Sequence, residues 1–308
     1  MTIKPSTRDY WKRANAIKGY PLLEKLHGYL YLLWPYLYIG TATGSNKLGR
    51  FGEKIVAGFS KLFPPKPVKP GQITWSDTYH GKVIPLQAAR ELVSVKENVC
   101  VGDLEKVIPY QLARTIVLDH PDHIVALDCP CRVARENPCL PLDVCLIVGE
   151  PFASFTLEHH PSRSRAITSA EAVEILEAED KRGHVHHAFF KEAVLERFYA
   201  ICNCCSCCCG AMQAHRNGTP MLASSGYTAR VDEDVCIGCA ECNSYCQFGA
   251  LSILEGVNHV DYSSCMGCGV CVSQCRYQAM ELVLTPEKGI PLEIVSFFSQ
   301  VKFPIKNH

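Results

Sequence analysis

The sequence predicts an α+β protein built from modules: a helical N-terminal arm, a mixed α/β cysteine-rich middle domain and a duplicated, pseudo-twofold C-terminal unit. Three observations predict it. A 29-residue internal repeat runs through residues 231–285. Nineteen cysteines stand in a chain of 308 residues. The first 60 residues combine aromatic, aliphatic and basic side chains ahead of a proline-rich break.

The repeat is read from its cysteines outward. Cys236, Cys239, Cys242 and Cys246 recur as Cys265, Cys268, Cys271 and Cys275. Gly238 maps onto Gly267, Phe248 onto Tyr277, Ala250 onto Ala279 and Ile253 onto Leu282. The likeness therefore reaches packing positions as well as thiols, the mark of a duplicated half-domain. Each copy reads C-x2-C-x2-C-x3-C. Cysteines two residues apart can turn their sulfurs to one centre, and Gly238 and Gly267 allow the backbone to curl around it. The fourth cysteine points away, toward the other centre.

The arm is residues 1–63. Residues 1–60 hold nine Lys/Arg against three acids, a net +6, so the neutral chain hides a basic head on an acidic body. Tyr29–Ile39, YLYLLWPYLYI, is apolar throughout but too short to span a bilayer. Leu48, Phe51, Ile55, Phe59 and Leu62 recur at helical spacing beside Arg50, Lys54 and Lys61, which predicts a short basic amphipathic helix. Trp34, Tyr36 and Tyr38 suit a membrane–water interface. Residues 20–62 are thus expected either to lie on an anionic membrane surface or to pack against protein, including the body of this chain. The prolines of residues 64–71 break any helix and mark a linker.

The middle domain, 72–230, mixes signals. Pro109 is expected to open a helix ending before His120-Pro121. Ile124–Leu127 reads as a strand delivering the chain to Cys129. Thr168-Ser-Ala-Glu171 is a capping box for a charged helix stopped at Gly183. A second helix is expected from about His187 to Ile201. Residues 231–285 form the duplicated unit and 286–308 a tail.

Adjacent thiols such as Cys204-Cys205 and Cys207-Cys208-Cys209 argue against a disulfide framework. With no export signal at the N-terminus, the chain is expected to be cytosolic, its thiolates on metal. Cys100, in an apolar stretch, reads as a buried inert thiol. Ten further cysteines form two groups: Cys129, Cys131, Cys139 and Cys145, then Cys202, Cys204, Cys205, Cys207, Cys208 and Cys209. Ten thiols with few acids nearby suit a soft metal and suffice for two further four-iron clusters, with Cys207 a candidate spare. A Cu(I) or Zn thiolate store, a catalytic or redox-active thiol pair, and a non-cubane or higher-nuclearity cluster are the competing readings. His159, His160, His184, His186 and His187 are expected to be solvated or hydrogen-bonded rather than ligands. Arg132, Arg163 and Arg165 are expected at the surface. The glutamates of the charged helix (Glu171, Glu174, Glu177, Glu179) would repel phosphate, and the balanced charge gives no case for nucleic acid.

The duplicated motif resembles the bacterial-type two-[4Fe–4S] ferredoxin domain. That resemblance implies a βαββαβ-like module with Cys236, Cys239, Cys242 and Cys275 on one cluster and Cys265, Cys268, Cys271 and Cys246 on the other. It departs from the family at Gln247 and Arg276, where proline usually follows the fourth cysteine. Arg276 is expected to raise the potential of a neighbouring cluster by favouring its reduced form. Residues 105–285 are also similar to multi-cluster iron–sulfur proteins of anaerobic microbes, through Cys129, Cys131, Arg132, Cys139, Cys145 and the run Ile201–Cys209.

No Gly-x-Gly-x-x-Gly in strand–turn–helix context and no P-loop is present, so neither a nucleotide nor a flavin site is evident. The expected function is single-electron transfer through a chain of [4Fe–4S] clusters, as a carrier or as a subunit of a larger redox complex with redox proteins as partners. The alternatives are a reductase with a substrate-accessible cluster at Cys202–Cys209 and a thiolate metal store or sensor.

Overall fold

A computed structural model describes residues 3–45, 79–102 and 115–293. The expected amphipathic helix around 48–62 and the linker 64–71 lie outside these residues. Nine strands form one mixed sheet: β1 (Tyr79–Ile84), β2 (Val99–Gly102), β3 (Thr115–Leu118), β4 (Ile124–Leu127), β5 (Cys145–Val148), β6 (Ser164–Ile167), β7 (Val185–Lys191), β8 (Arg197–Cys204) and β9 (Leu222–Ala223). The order is β6-β4-β5-β8-β7-β1-β9, with the β2–β3 pair joined through β3 to β8. Pairing is antiparallel except β1–β9 and β3–β8.

The two-residue period of the strands sorts the core into two layers. Ile124 and Ala126 of β4, Leu146 and Val148 of β5 and Ile201 of β8 face helices α4 (Leu86–Ser94) and α7 (Ser169–Lys181). Val125 and Leu127, Cys145 and Ile147, and Ala200 and Cys204 face the opposite way. That second face is covered by the arm helices α1 (Pro5–Ala16), α2 (Leu22–Leu33) and α3 (Pro35–Ala42), together with α6 (Phe152–His159) and α8 (Gly210–Arg216). Between them, a single turn, α5 (Pro130–Val133), follows Cys129.

Three expectations are corrected, two on secondary structure and one on burial. The helix expected over His187–Ile201 is the β7–β8 hairpin, turned by Leu195 and Glu196 at φ 56° and 55°. Both faces of β7 are buried, so its apolar run lacks the alternation that marks a half-exposed strand. Of the helix expected from Pro109, residues 115–118 are strand β3, paired with β2, and 109–114 lie outside the described residues. Cys100 is exposed rather than buried, because β2 pairs on one side alone and alternation turns Cys100 outward while Val99 is buried. The strand at 124–127 and the helix after Thr168 form as expected. Thr168 Oγ1 accepts from the Glu171 amide at 3.2 Å, and Gly183 stops the helix at φ 80°.

The described part of the arm, residues 3–45, packs into the core. Tyr10, Tyr20, Tyr31 and Leu32 are buried against the sheet. Tyr20 Oη donates to the Glu192 carbonyl at 2.8 Å, and Tyr36 Oη to the Asp128 carbonyl at 2.9 Å. Trp34-Pro35 divides the apolar segment into two helices, since Pro35 cannot donate within a continuous one. No helix among the described residues is long and apolar enough to cross a membrane.

Residues 227–284 run strand β10 (Tyr227–Val231), α9 (Glu241–Tyr245), β11 (Leu251–Leu254), β12 (Val257–Val260), α10 (Val270–Ser273) and β13 (Met280–Leu284). β10 pairs with β13 and β11 with β12, both antiparallel.

Gly28 fixes how α2 seats. A Cβ there would stand 1.6 Å from the Ala193 carbonyl oxygen in the β7–β8 turn and 2.6 Å from Tyr10 Oη. Gly28→Ala is expected to destabilise the chain by at least about 1–3 kcal/mol through overpacking. The denaturant midpoint under anaerobic conditions measures it.

Candidate metal centres

Four sites emerge from where the backbone sets its thiols. In the C-terminal unit, one cavity is lined by Cys236, Cys239, Cys242 and Cys275, and a second by Cys246, Cys265, Cys268 and Cys271. Each set takes three thiols from one repeat and one from the other. The pseudo-twofold relation extends to the hydrogen bonds on sulfur. The Ala250 amide donates to Cys246 Sγ at 3.3 Å, and Ala279 to Cys275 Sγ at 3.3 Å. Ala229 donates to Cys265 Sγ and Asn258 to Cys236 Sγ, each at 3.4 Å and each from the strand of the other half. Such N–H···S bonds stabilise electron-rich sulfur and help set a cluster's potential.

The glycines are required where the chain folds over itself. Gly238 and Gly267 both have φ 65°, and a Cβ on either would meet a backbone carbonyl oxygen (Gly256, Tyr227) at 2.1 Å. Burial pushes the Cys268 thiol up to about 12, so ionising it takes a cation at the site.

In the middle domain, period two puts Cys202 and Cys204 on one face of β8. The β5–β8 register then sets Cys145 opposite Cys202, with sulfurs 3.8 Å apart. Cys129 and Cys131 come from the turn after β4, and Cys209 from the residue before α8. Cys129 reaches Cys131 and Cys145, Cys131 reaches Cys209, and Cys209 reaches Cys204. These six thiols, with Cys205 and Cys208 at the edge, line one apolar cavity of about 80 Å³, walled on the arm side by Tyr31, Leu32, Pro35 and Ile39. Tyr31 Oη and Tyr199 Oη are 2.9 Å apart in its wall. The arm's part in this site was invisible in the sequence, where no motif joins residues 31–39 to the cysteines.

The other four thiols, Cys139, Cys205, Cys207 and Cys208, form an outer group that adjoins the cavity through Cys205 and Cys208, with all sulfurs within 4.8 Å of one another. Contacts of 3.1 Å (Cys207–Cys205) and 3.2 Å (Cys139–Cys207) make it tight. Metal–sulfur bonds near 2.3 Å on a tetrahedral ion bring sulfurs to about 3.8 Å. Among the described residues no other group of three or more Cys, His, Asp or Glu ligands is packed so closely. Cys207, a candidate spare in the sequence, is a full member.

Behind the inner cavity lies a charged network that sequence reasoning placed at the surface. Arg132 is 1% exposed and Glu179 0%, and the two are hydrogen-bonded. Arg132 also donates to the Asn203 carbonyl at 3.1 Å and to the Pro141 carbonyl. It thereby ties α5 to both cysteine segments. Burial works against ionised Glu179, yet His184 at 2.6 Å and the Arg132 guanidinium hold its carboxyl below the usual range. His186 Nδ1 lies 2.6 Å from Asn203 Oδ1. His187 is fully buried with no hydrogen-bond partner for either ring nitrogen among the described residues, and burial holds it neutral with a pKa of about 3. It stands opposite Cys202 in the β7–β8 register but does not line the cavity. His159 lies 3.0 Å from Thr7 Oγ1, and His160 lies 2.8 Å from the Leu32 carbonyl. Arg163 stacks over Tyr36 at 4.4 Å, and Arg165 is at the surface, paired with Asp143 and Glu171.

Gln247 and Arg276, the two departures from the ferredoxin pattern, have separate uses. Gln247 accepts from the Ser206 amide at 2.8 Å and donates to the Gly183 carbonyl at 2.9 Å. It fastens the C-terminal unit to the outer thiol loop. Arg276 is not a bare charge beside a cluster, because its guanidinium pairs with Glu241 at 2.9 Å.

With this geometry in hand, comparison with known families is decisive for the C-terminal unit. Residues 229–252 and 259–281 match the family model described as a 4Fe-4S binding domain. No curated protein matches the chain. The all-cysteine donor sets, their sulfur-directed amides and the cavities they line fit iron–sulfur clusters, and together with the match they point to iron–sulfur electron transfer.

Arg132→Ala leaves Glu179 buried with a weaker set of partners. The substitution is expected to cost about 3–5 kcal/mol, read as a fall in the anaerobic unfolding midpoint.

Proposed function

We propose that this chain carries single electrons through a series of iron–sulfur centres, as a carrier or as the electron-transfer subunit of a redox complex. Cys236, Cys239, Cys242 and Cys275 hold one [4Fe–4S] cluster, and Cys246, Cys265, Cys268 and Cys271 hold the next. The observation that carries the reading is continuity. Met266, Val270, Cys268 and Phe248 from the wall of the second cavity belong to the same apolar core as Cys129, Cys145, Cys204 and Cys209 of the middle domain. A dry, packed connection between redox centres suits electron transfer and excludes water from the clusters.

The tight outer group supports a single thiophilic ion, Zn²⁺ or iron, rather than a cubane, whose four irons each take a thiolate and hold those sulfurs further apart. Anaerobic metal and acid-labile sulfide analysis tests the assignments. At least about eight irons are expected from the C-terminal unit, and Cys268→Ser is expected to remove about four and one reducible EPR signal. Colourless protein, or a total near four irons, overturns the reading.

A second reading concerns the arm. Leu22, Leu23, Leu26, Leu30, Trp34 and Leu37 are all exposed on α2 and α3, with Leu22 and Leu23 above 70%. Exposed Arg8, Lys12 and Lys18 lie on α1 and the turn after it. An apolar stripe beside basic residues suits the surface of an anionic bilayer. Because the arm also walls the inner cavity, deleting it would confound the test. Substitution of Leu22, Leu26, Leu30 and Trp34 by serine is expected to lower flotation with anionic liposomes at least about tenfold. Unchanged flotation, or none by the parent chain, removes the membrane reading.

A further inference from the structure

We propose that the inner cavity holds one iron–sulfur centre larger than a cubane, with Cys129, Cys131, Cys145, Cys202, Cys204 and Cys209 all as ligands. This rests on the reading of the chain as an iron–sulfur protein.

Three observations carry it. Four of the ten thiols of the middle domain close on one point, two of them (Cys205 and Cys208) at the edge of the inner cavity, and the remaining six line that cavity without joining the tight group. The six form an unbroken series, Cys202–Cys145–Cys129–Cys131–Cys209–Cys204, in which every member reaches the next and none stands apart as a spare. They also remain open around a space, whereas the outer four close on one point.

The chain supplies its own scale for that space. The two cavities walled by the C-terminal cysteine sets are each about 20 Å³. The inner cavity is about 80 Å³, four times as large. A cubane takes one terminal thiolate for each of its four irons. Two cubanes linked through one bridging sulfide, between an iron of each, give up one terminal thiolate apiece, and six remain. Six ligands and a cavity several times that of a cubane site both match such a fused centre.

The surroundings suit it. The wall is mostly apolar apart from the thiols, the Tyr31–Tyr199 hydroxyl pair, the Arg132–Asn203 edge, Thr156, and His160, whose Nε2 lies 2.8 Å from the Leu32 carbonyl. A centre with six thiolates is strongly anionic, and Arg132 places a guanidinium at the same wall. The arm helices supply one wall of the cavity.

Anomalous diffraction at the iron edge from anaerobic crystals of the full chain tests the proposal directly. More than four iron peaks in the inner cavity are expected, about eight for two fused cubanes. Four or fewer overturn the larger centre. Iron in the two C-terminal sets with none in the inner cavity overturns it too, while leaving the electron-transfer reading intact. Absence of iron from the C-terminal sets defeats that reading itself. Mössbauer spectra of six single Cys→Ala variants give an independent measure. Every one of the six is expected to lose the same spectral component, which Cys207→Ala retains. Two silent substitutions among the six would mean a four-ligand cubane with spare thiols, and would overturn the proposal.

Discussion

The structure depends on thiols being held in an apolar interior where they cannot ionise alone. On one face of the central sheet, strand alternation fixes Cys145, Cys202 and Cys204. The turn after β4 and the start of α8 bring Cys129, Cys131 and Cys209 to meet them. Burial opposes thiolate formation and raises Cys139 and Cys268, whereas at Cys129 the neighbouring thiols of Cys131 and Cys145 outweigh it and lower the pKa. Metal is what reverses this, because coordination stabilises the deprotonated sulfur and expels its proton. On the proposed reading, folding of the middle domain and loading of its sites are one equilibrium in large part. The N-terminal arm belongs to that equilibrium, since Tyr31, Leu32, Pro35 and Ile39 supply a wall the sheet does not have.

Negative charge collected on buried sulfur has to be balanced close by. Arg132 brings a guanidinium there from within the motif, one residue after Cys131, already paired with Glu179, which His184 also holds. The network also bonds the carbonyls of Asn203 and Pro141, so the same side chain that places charge near the cavity holds two cysteine segments in register. A lysine could carry the charge but not the planar fork that reaches several acceptors at once.

The parts legible in the sequence were those set by local chemistry. The 29-residue repeat, the Thr168 cap, the Gly183 stop and the strand before Cys129 each depend on neighbours a few residues away. The parts that were not legible depend on tertiary burial. His187–Ile201 misreads as helix because both faces of β7 are covered and its pattern loses period two. Arg132 and Glu179 look like surface charges until the layer over them is known. Cys100 looks like core because its neighbours are apolar, yet it lies on the outward side of β2. The grouping of the ten thiols could not be read from spacing, because one run serves two groups: Cys205, Cys207 and Cys208 close with Cys139, while Cys202, Cys204 and Cys209 line the inner cavity, which Cys205 and Cys208 also edge.

Duplication gave the C-terminal unit two equivalent ends, and substitution has made them different. Behind the fourth cysteine of the first repeat, Gln247 bonds Ser206 and Gly183, while Gln274 donates to the Asp180 carbonyl at 3.0 Å from the second. A Cβ on Gly183 would strike Tyr245 at 2.7 Å, so the turn after α7 is pressed against α9. The cavity of Cys246, Cys265, Cys268 and Cys271 is thus turned toward the middle domain. Behind the fourth cysteine of the second repeat, Arg276 turns to solvent and pairs with Glu241. Its cavity, walled by Ile237 and Tyr277, has both of those apolar side chains exposed and Cys239 exposed beside them. On the proposed path this asymmetry gives the module a direction. One end is open to an external redox partner and the other is sealed into the core that leads to the inner cavity. The two replacements of the usual proline are what convert a symmetric pair of sites into an entrance and a connection.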